Sequence, residues 1–270
     1  MIVGVDFGIT NTDIALSNND DVKFFTIPTK KISDDFLLEI FDFIKLDINQ
    51  VKKIAVTGGK SSNLSDSFKD IPIIKVNEVN AIGFGAIDLY GIDDKPFVAI
   101  STGTGTACIY HSDKKFNHLG GISIGGGTLQ GLSNYIINTS ESSQIEELAA
   151  SGKRESLDLL IGEAVNEIGS LYPEITASNF VKAKNTKKHS SEDLAASLSN
   201  MVGEVIGTIS YLNAMICGLD EVYFIGRTSL NKSIRIGIED RLKLANVKGS
   251  FAVRREYGNV LGALKFIKEK

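Results

Sequence analysis

The chain has 270 residues, of which 43% are apolar, and a formal net charge of −4. The apolar content can fill a large core and excludes a disordered chain, and the weakly acidic balance argues against a nucleic-acid partner. No apolar stretch reaches the roughly 18 residues that cross a bilayer, and no charged-then-apolar leader opens the chain, so a cytoplasmic protein without a membrane partner is predicted.

The densest basic run, KNTKKH at 184–189, is interpreted as a solvated loop. Cys108 and Cys217 are too few and too far apart to predict a disulfide framework or a metal site. Both lie in apolar runs and are predicted to be buried thiols.

The N-terminus predicts a meander of strands at 2–7, IALS and 22–28. Its first turn carries Asp6, Gly8, Thr10 and Asn11. An Asp at the end of a strand can hold Mg²⁺ through water, and Thr and Asn can donate to phosphate oxygens. The alternative is a plain hairpin, because Asn, Asp and Gly are favoured in turns for their backbone angles.

The next segment alternates helices and strands. Ser33 is predicted to cap a helix that runs to about Leu46, and KKIAVTGG at 52–59 reads as a strand that ends in a glycine turn. A short helix and the strand IPIIKV follow, and a helix begins near Glu78 within 77–91. Since PFVAIS at 96–101 is again a strand, the pattern predicts a mixed sheet flanked by helices, in the α/β class.

Residues 101–132 hold two glycine-rich turns, STGTGT at 101–106 and GGISIGGGT at 120–128. The run ACIYH between them alternates like a strand, and LQGLSNYII after the second turn has helical spacing. Glycine turns let backbone N–H groups approach an anion, and a helix N-terminus favours negative charge. We interpret the pair as a phosphate cradle; the alternative is two ordinary tight turns.

The remaining chain is more helical. SSQIEELAASG predicts a helix stopped by Gly152, SLDLLIGEAVNEI a second, and TASNFVKA a third that opens near Thr176 or Ser178. The small-residue-rich run 191–217 predicts a buried helix or one at a subunit interface. EVYFIGRTS at 221–229 repeats the strand and glycine turn, and a helix, the strand of KGSFAVRREYG and a closing helix follow.

Three strand-to-glycine turns, at 6–11, 101–106 and 225–227, follow the sequence layout of the actin-like ATPase and sugar-kinase fold. Within that group the chain resembles the type II pantothenate kinases over almost its whole length. GVDFGITNTDI resembles the family's first phosphate loop, and KVNEVNAIGFG its segment with the catalytic glutamate. STGTGT, HLGGISIGGGTLQGL, VYFIGRTSLN and EYGNVLGALKFI follow in the family's order.

The resemblance implies a two-lobed actin-like ATPase (ribonuclease H-like) fold, with one lobe at 1–94 and another at 95–270, divided near 91–95. It also implies a homodimer that requires ATP and Mg²⁺. The implied reaction transfers the γ-phosphoryl of ATP to the primary hydroxyl of pantothenate, the first step of coenzyme A synthesis.

The resemblance also implies roles for individual residues. Glu78 is the catalytic base, and Asp6 holds the Mg²⁺. The implied nucleotide-binding residues are Asp6, Gly8, Thr10, Asn11, Thr102, Gly103, Thr104, Gly105, Gly125, Gly126, Gly127, Gly131 and Gly226. The implied substrate-binding residues are Ser101, His118, Gly121 and Tyr257.

Three positions depart from the family pattern. The second glycine of the first loop is Ile9, and the usual Lys is Asp13, which cannot neutralise a phosphate. Another cation, such as Lys60, substitutes, or Asp13 faces away. His118 stands where the family has the Arg that meets the carboxylate of pantothenate.

These departures keep alternatives open. One is a related kinase with another acceptor, which His118 favours. Another is a pseudokinase that binds a nucleotide or an acyl-CoA without turnover, which Asp13 favours and Glu78 and Asp6 oppose. An ATPase domain that drives a partner is a further alternative.

Overall fold

A computed structural model of the chain describes residues 1–18, 21–92, 95–169, 171–185 and 189–269. Within these ranges the chain forms two large mixed sheets with helices around them, as predicted for the α/β class. Residues 93–94 at the predicted lobe boundary and 186–188 in the basic run lie outside the described residues. The division of the chain into 1–94 and 95–270 stays a prediction.

The first sheet comes from the N-terminal part of the chain. Its strands are β1 (Ile2–Phe7), β2 (Asn11–Asn18), β3 (Asp21–Pro28), β4 (Lys53–Thr57), β5 (Ser67–Phe68) and β6 (Ile71–Lys75). They lie in the order β3-β2-β1-β4-β6-β5. The first three form the predicted antiparallel meander, and β4 and β6 run parallel to β1.

The second sheet comes from the rest of the chain. The remaining strands are β7 (Phe97–Thr102), β8 (Thr106–Ser112), β9 (Lys115–Ile122), β10 (Leu159–Leu160), β11 (Thr176–Ser178), β12 (Glu221–Ile225) and β13 (Lys248–Phe251). The sheet order is β13-β12-β7-β8-β9, and β10 and β11 form a separate pair.

The two large sheets repeat one topology. In each, a three-stranded antiparallel meander is extended by two strands that run parallel to its first strand, and the first sheet adds β5, which is antiparallel to β6. The β1–β2 turn and the β7–β8 turn therefore occupy equivalent places in their sheets. These are the first two predicted glycine turns.

Helices surround the sheets. They are α1 (Asp34–Phe43), α2 (Glu78–Tyr90), α3 (Gly126–Ile137), α4 (Ser142–Ser151), α5 (Ile161–Ala164), α6 (Ser191–Ile216), α7 (Lys232–Leu244) and α8 (Gly258–Lys268). The Ser33 hydroxyl caps α1 by accepting from Phe36 N at 3.3 Å, as predicted.

Helices α2 and α8 lie against each other between the two sheets. Phe84 of α2 meets Phe266 of α8 edge to face, with ring centroids 5.7 Å apart. Helix α8, although it ends the chain, packs on the first sheet, where Val260 and Leu264 join Ala15 in one buried cluster. Helix α2 packs on the second sheet, and Ile82 is buried with Phe97. This layer fixes the position of Glu78 at the start of α2.

The predicted helix over SLDLLIGEAVNEI is wrong. The segment contains the short strand β10 and the four-residue helix α5 instead. Asp158 is fully buried and accepts hydrogen bonds from Phe180 N and from the Ser197 hydroxyl of α6, and a continuous helix would not make these contacts. The helix predicted to open near Thr176 or Ser178 is likewise the strand β11, which pairs with β10 and leads into a 3₁₀ turn.

The long helix α6 is present as predicted, but its small residues pack against other parts of the same chain. Ala195, Ser199 and Gly203 are buried. A Cβ on Gly203 would lie 2.2 Å from the Ile234 carbonyl oxygen of α7, so the absence of a side chain lets the two helices approach closely. The small-residue face is therefore occupied within the chain.

Candidate active site

A cavity of about 780 Å³ lies where the equivalent turns of the two sheets meet. The hydroxyl oxygens of Thr10 and Thr104, one from each turn, are 3.5 Å apart. The first strands of both meanders thus end at this cavity. The predicted site residues that line it are Asp6, Gly8, Thr10, Asn11, Glu78, Ser101, Gly103, Thr104, Gly105, Gly126, Gly127 and Gly226.

The structure places other predicted residues outside the lining. Thr102 is fully buried and joins two turns, because its hydroxyl donates to Ile225 O at 3.0 Å and accepts from Ser229 N. Gly125 caps the N-terminus of α3, and Gly131 is exposed along the same helix.

Three of the four predicted substrate residues also lie outside the lining; Ser101 lies within it. His118 is exposed on β9, opposite Ile109 of β8, and Gly121 lies further along β9. Tyr257 stacks on Phe24 of β3, with ring centroids 4.5 Å apart.

The start of α3 holds the β7–β8 turn in shape through backbone hydrogen bonds. Gly126 N donates to Gly103 O at 2.9 Å, and Gly127 N donates to Thr104 O at 3.1 Å. These two amides are therefore engaged by the turn and do not point free N–H groups at a ligand. The Thr228 hydroxyl also donates to Gly103 O, at 2.7 Å, so the turn after β12 supports the β7–β8 turn.

The conformation of the turn after β12 requires a glycine at position 226. Gly226 has φ +93°, a left-handed conformation that side chains rarely adopt. A Cβ there would lie 2.4 Å from the Thr102 carbonyl oxygen, so the β12 turn can approach β7 only without a side chain.

Asp6 is a buried carboxyl at the end of β1, with 9% of its surface exposed. Burial, together with the nearby negative charges of Asp13 and Glu78, raises the pKa of Asp6 to about 7, and a side-chain hydrogen bond from Asn259 partly offsets the rise. Asp13 lies directly opposite Asp6 in the β1–β2 register. A site that concentrates carboxylates in this way favours a bound cation.

Asp13 does not face away from the cavity, and Lys60 is exposed and does not line it. Asp13 Oδ1 instead accepts from Arg227 Nη2 at 2.6 Å and from the Thr26 hydroxyl at 2.6 Å. Burial still raises the pKa of Asp13 above its ordinary value, although both hydrogen bonds and the charge of Arg227 lower it.

Glu78 is the first residue of α2. The Asn77 side chain caps the helix by accepting from Asn80 N at 2.8 Å. Glu78 is exposed and lines the cavity, so its carboxylate is accessible to a ligand there. The predicted catalytic carboxylate and the predicted phosphate turns therefore share one cavity.

The other end of the cavity was not found from the sequence. Glu146 of α4 lies there, and its Oε1 accepts from Lys232 N at the start of α7, at 2.9 Å. This contact joins residues 86 positions apart, and no local pattern marks it. The further residues that line this end are Leu129, Gln130, Ser142, Ser143, Leu230, Asn231 and Ile234.

Two features are absent from the described ranges. No helix there has both the length and the apolar character of a membrane span. In the same ranges, no group of three or more His, Cys, Asp or Glu side chains is arranged to hold a metal ion.

Comparison with known sequences connects the chain to one family. The sequence profile of the family described as Fumble matches residues 91–237, just over half of the chain. The type II pantothenate kinase of Bacillus thuringiensis subsp. konkukian (strain 97-27) is 32% identical over 240 residues, which cover 85% of this chain and 83% of that protein. The type II pantothenate kinase of Staphylococcus epidermidis is 26% identical over 98% of this chain and 99% of its own length.

Comparison with solved structures shows the fold. The activator of the 2-hydroxyisocaproyl-CoA dehydratase from Clostridium difficile, with bound ADPNP, has a TM-score of 0.66 at 17% identity, over 98% of this chain and 93% of that one. A ROK family glucokinase from Streptomyces griseus, in complex with glucose and AMPPNP, has a TM-score of 0.65 at 11% identity, and the match covers 100% of this chain and 99% of that one. The predicted actin-like ATPase fold is confirmed.

Proposed function

This chain belongs to the Fumble family of type II pantothenate kinases, and we propose that it transfers the γ-phosphoryl group of ATP to the primary hydroxyl of pantothenate. The reaction is the first step of coenzyme A synthesis. The observation that carries the proposal is the meeting of two equivalent hairpin turns in one cavity, with Glu78 in its lining.

Phosphoryl transfer depends on positioning and on charge stabilisation more than on covalent chemistry by the protein. The β1–β2 turn contributes Gly8, Thr10 and Asn11, and the β7–β8 turn contributes the 103–105 loop. Their hydroxyl, amide and backbone groups are suited to the phosphate oxygens. The apolar and polar side chains of α3, α4 and α7 at the far end are suited to adenosine.

Glu78 is the general base of the proposed reaction. Glu78 is the first residue of α2, where the partial positive charge of the helix N-terminus favours an acidic side chain. In contact with the acceptor hydroxyl, Glu78 takes its proton as the oxygen attacks the γ-phosphorus. Because it is exposed in the cavity, the acceptor can reach it without a rearrangement of α2.

The residues at the β1 end fit a Mg²⁺ ion. Mg²⁺ prefers oxygen ligands and commonly uses one or two carboxylates together with water and substrate phosphates. Asp6 would hold it, directly or through water; burial and the neighbouring charges of Asp13 and Glu78 raise the pKa of Asp6, and a bound cation would offset those charges. Glu256 Oε2 and Asn259 Oδ1 are buried oxygens without hydrogen-bond partners among the described residues. When bound, the ion neutralises charge on the phosphates.

The acceptor is proposed to extend from Glu78 towards β9. Ser101 lines the cavity, and strand alternation places His118 on the face of β9 that it shares with Phe116. Phe116 in turn contacts Phe84 of α2, with ring centroids 5.0 Å apart. His118, Gly121 and Tyr257 thus remain proposed substrate residues, and His118 would donate a hydrogen bond to the carboxylate of pantothenate.

We also propose that the protein is a homodimer and acts in the cytoplasm, where ATP is supplied. The support for a dimer is the exposed apolar side of α6, which includes Leu212, Met215 and Ile216. These residues are three and four positions apart and share one face of the helix.

A coupled ADP-release assay with pantothenate, pantetheine and pantothenol tests the proposed function. We expect ATP-dependent turnover with pantothenate. Turnover with pantetheine or pantothenol alone would identify a kinase with another acceptor. ATP binding without ADP release from any of the three would identify a pseudokinase.

A further inference from the structure

The charge of the cavity does not suit the ligand proposed for it. ATP carries several negative charges, yet the described lining contains five carboxylates. They belong to Asp6, Asp13, Glu78, Glu146 and Glu256. A cation must offset this charge where the phosphates bind, and in the described lining Arg227 is the only lysine or arginine.

Arg227 is held in place by three side chains, two of which lie on the first sheet. Its Nη2 donates to Asp13 Oδ1 at 2.6 Å and to the Thr26 hydroxyl at 3.1 Å. Its guanidinium carbon lies 5.9 Å from the centroid of the Tyr257 ring. Thr26 also donates to Asp13, at 2.6 Å, so the three polar groups bond to one another.

This anchoring leaves part of the guanidinium accessible. Both hydrogen bonds that the structure describes for Arg227 leave from Nη2, and 38% of its side chain is exposed. The donors on Nε and Nη1 can therefore meet a ligand. An arginine fixed by a carboxylate through one nitrogen loses little freedom when it binds a phosphate through the others.

We propose that Arg227 is the phosphate-binding cation of this protein and that Asp13 orients it. The inference rests on the proposed function, because it takes a nucleotide as the ligand. In the family pattern a Lys occupies position 13; here an Asp on β2 forms an ion pair with an Arg on the turn after β12. The positive charge at this place thus comes from the turn after β12 and not from β2.

Equilibrium binding of ATP, ADP and adenosine tests the assignment. Arg227→Met should weaken ATP binding roughly ten- to hundredfold, the usual effect of losing a charge-assisted hydrogen bond, and leave adenosine binding unchanged. The matched control is Arg235→Met, since Arg235 pairs with Glu239 on α7 and does not line the cavity. This control should bind ATP like the wild type. ATP binding by Arg227→Met at wild-type affinity would overturn the proposal.

Two more variants separate charge from folding. Asp13→Asn keeps an oxygen that accepts from Arg227 but removes a negative charge, so it should bind ATP several-fold more tightly than the wild type. A loss of ATP affinity as large as that of Arg227→Met would overturn the assignment of the charge to Arg227. Asp13→Asn/Arg227→Met leaves no unpaired buried carboxylate at position 13. It should still lose ATP selectively relative to Asp13→Asn, by about the same factor that separates Arg227→Met from the wild type.

These binding measurements are independent of the acceptor. If the wild type phosphorylates no pantothenate but Arg227→Met still loses ATP selectively, the proposed function fails and the assignment of Arg227 stands. If the wild type is an active pantothenate kinase and Arg227→Met binds ATP normally, the assignment fails alone.

Discussion

Asp6 and Glu78 are carboxyl groups in one cavity, and their different surroundings suit them to the different roles proposed for them. Asp6 is buried on a strand opposite another carboxylate, and this placement raises its pKa and suits it to a cation. Glu78 is exposed at the start of a helix and suits proton transfer from an acceptor. The two roles can be tested separately.

Glu78→Gln should reduce turnover by roughly two to four orders of magnitude and leave ATP affinity unchanged, because Gln keeps the shape but cannot accept the proton. The measurement is kcat for ADP release, with ATP binding measured in parallel. Glu141→Gln is the matched control, since Glu141 is another exposed glutamate at the start of a helix and does not line the cavity. Near-normal turnover in Glu78→Gln would contradict the assignment of the base.

Asp6→Asn should stabilise the ligand-free protein above neutral pH. Between the ordinary pKa of 3.8 and the raised pKa of about 7, the folded state keeps the Asp6 proton whereas the unfolded chain releases it. The contribution of Asp6 therefore becomes more unfavourable as pH rises through this range, and the full effect, on the order of 4 kcal/mol at most, is present above pH 7.

The measurement is the melting temperature of wild type and Asp6→Asn from pH 5 to pH 8. The difference in favour of Asn should grow with pH, and the same variant should lose Mg²⁺-dependent turnover. Asp21→Asn, at an exposed position on β3, should show no such trend. A difference that is constant with pH would mean that Asp6 has an ordinary pKa in the folded protein.

At the scale of elements, the close contact of α6 and α7 depends on missing side chains. Gly203→Ala should destabilise the protein by about 1–3 kcal/mol, because the new Cβ would collide with the backbone of Ile234. Gly131→Ala is the control with the opposite sign. A Cβ there meets nothing within 4 Å, so the better helix propensity of Ala should stabilise α3 by up to about 1 kcal/mol. Melting temperatures that change in the same direction would contradict this account.

Local sequence patterns predicted most of these elements, because their signals lie within a few residues. The Ser33 cap, the α2 start at Glu78 and the glycine turns are of this kind. The helix predicted around Asp158 was wrong because the structure of this segment depends on contacts with Phe180 and Ser197, which are 22 and 39 residues away. Helical periodicity cannot report a buried carboxylate that is paired over such a distance.

In the candidate site, too, local patterns predicted some residues and missed those that depend on distant contacts. The residues on the two hairpin turns were predicted, since glycine and threonine mark them locally. The pair of Asp13 and Arg227 was not, because 214 positions separate its members. The repeated topology of the two sheets was also not visible, since the sequence shows no tandem repeat and the similarity lies in the strand order.

At the scale of the whole molecule, the exposed apolar face of α6 is proposed as the dimer interface. Met215 is 59% exposed and Ile216 is 80% exposed, which is unfavourable for a lone protomer. Met215→Glu/Ile216→Glu should convert a dimer into a monomer by light scattering at micromolar concentration. Tyr135→Glu, at an 89% exposed position on α3, is the control for added charge and should remain dimeric. A monomeric wild type would refute the dimer.

The repeated topology explains why the cavity can serve a kinase. The two sheets share the order of five strands and bring equivalent turns to one place. The phosphates of ATP are proposed to lie between these turns, with Glu78 of α2 facing the acceptor. The central claim is that these parts together phosphorylate pantothenate.

The most direct test is mass spectrometry of the products after the purified protein is incubated with ATP, Mg²⁺ and pantothenate. The account predicts 4′-phosphopantothenate and ADP in equal amounts. ADP without a phosphorylated acceptor, or no conversion of pantothenate while ATP remains bound, would contradict it.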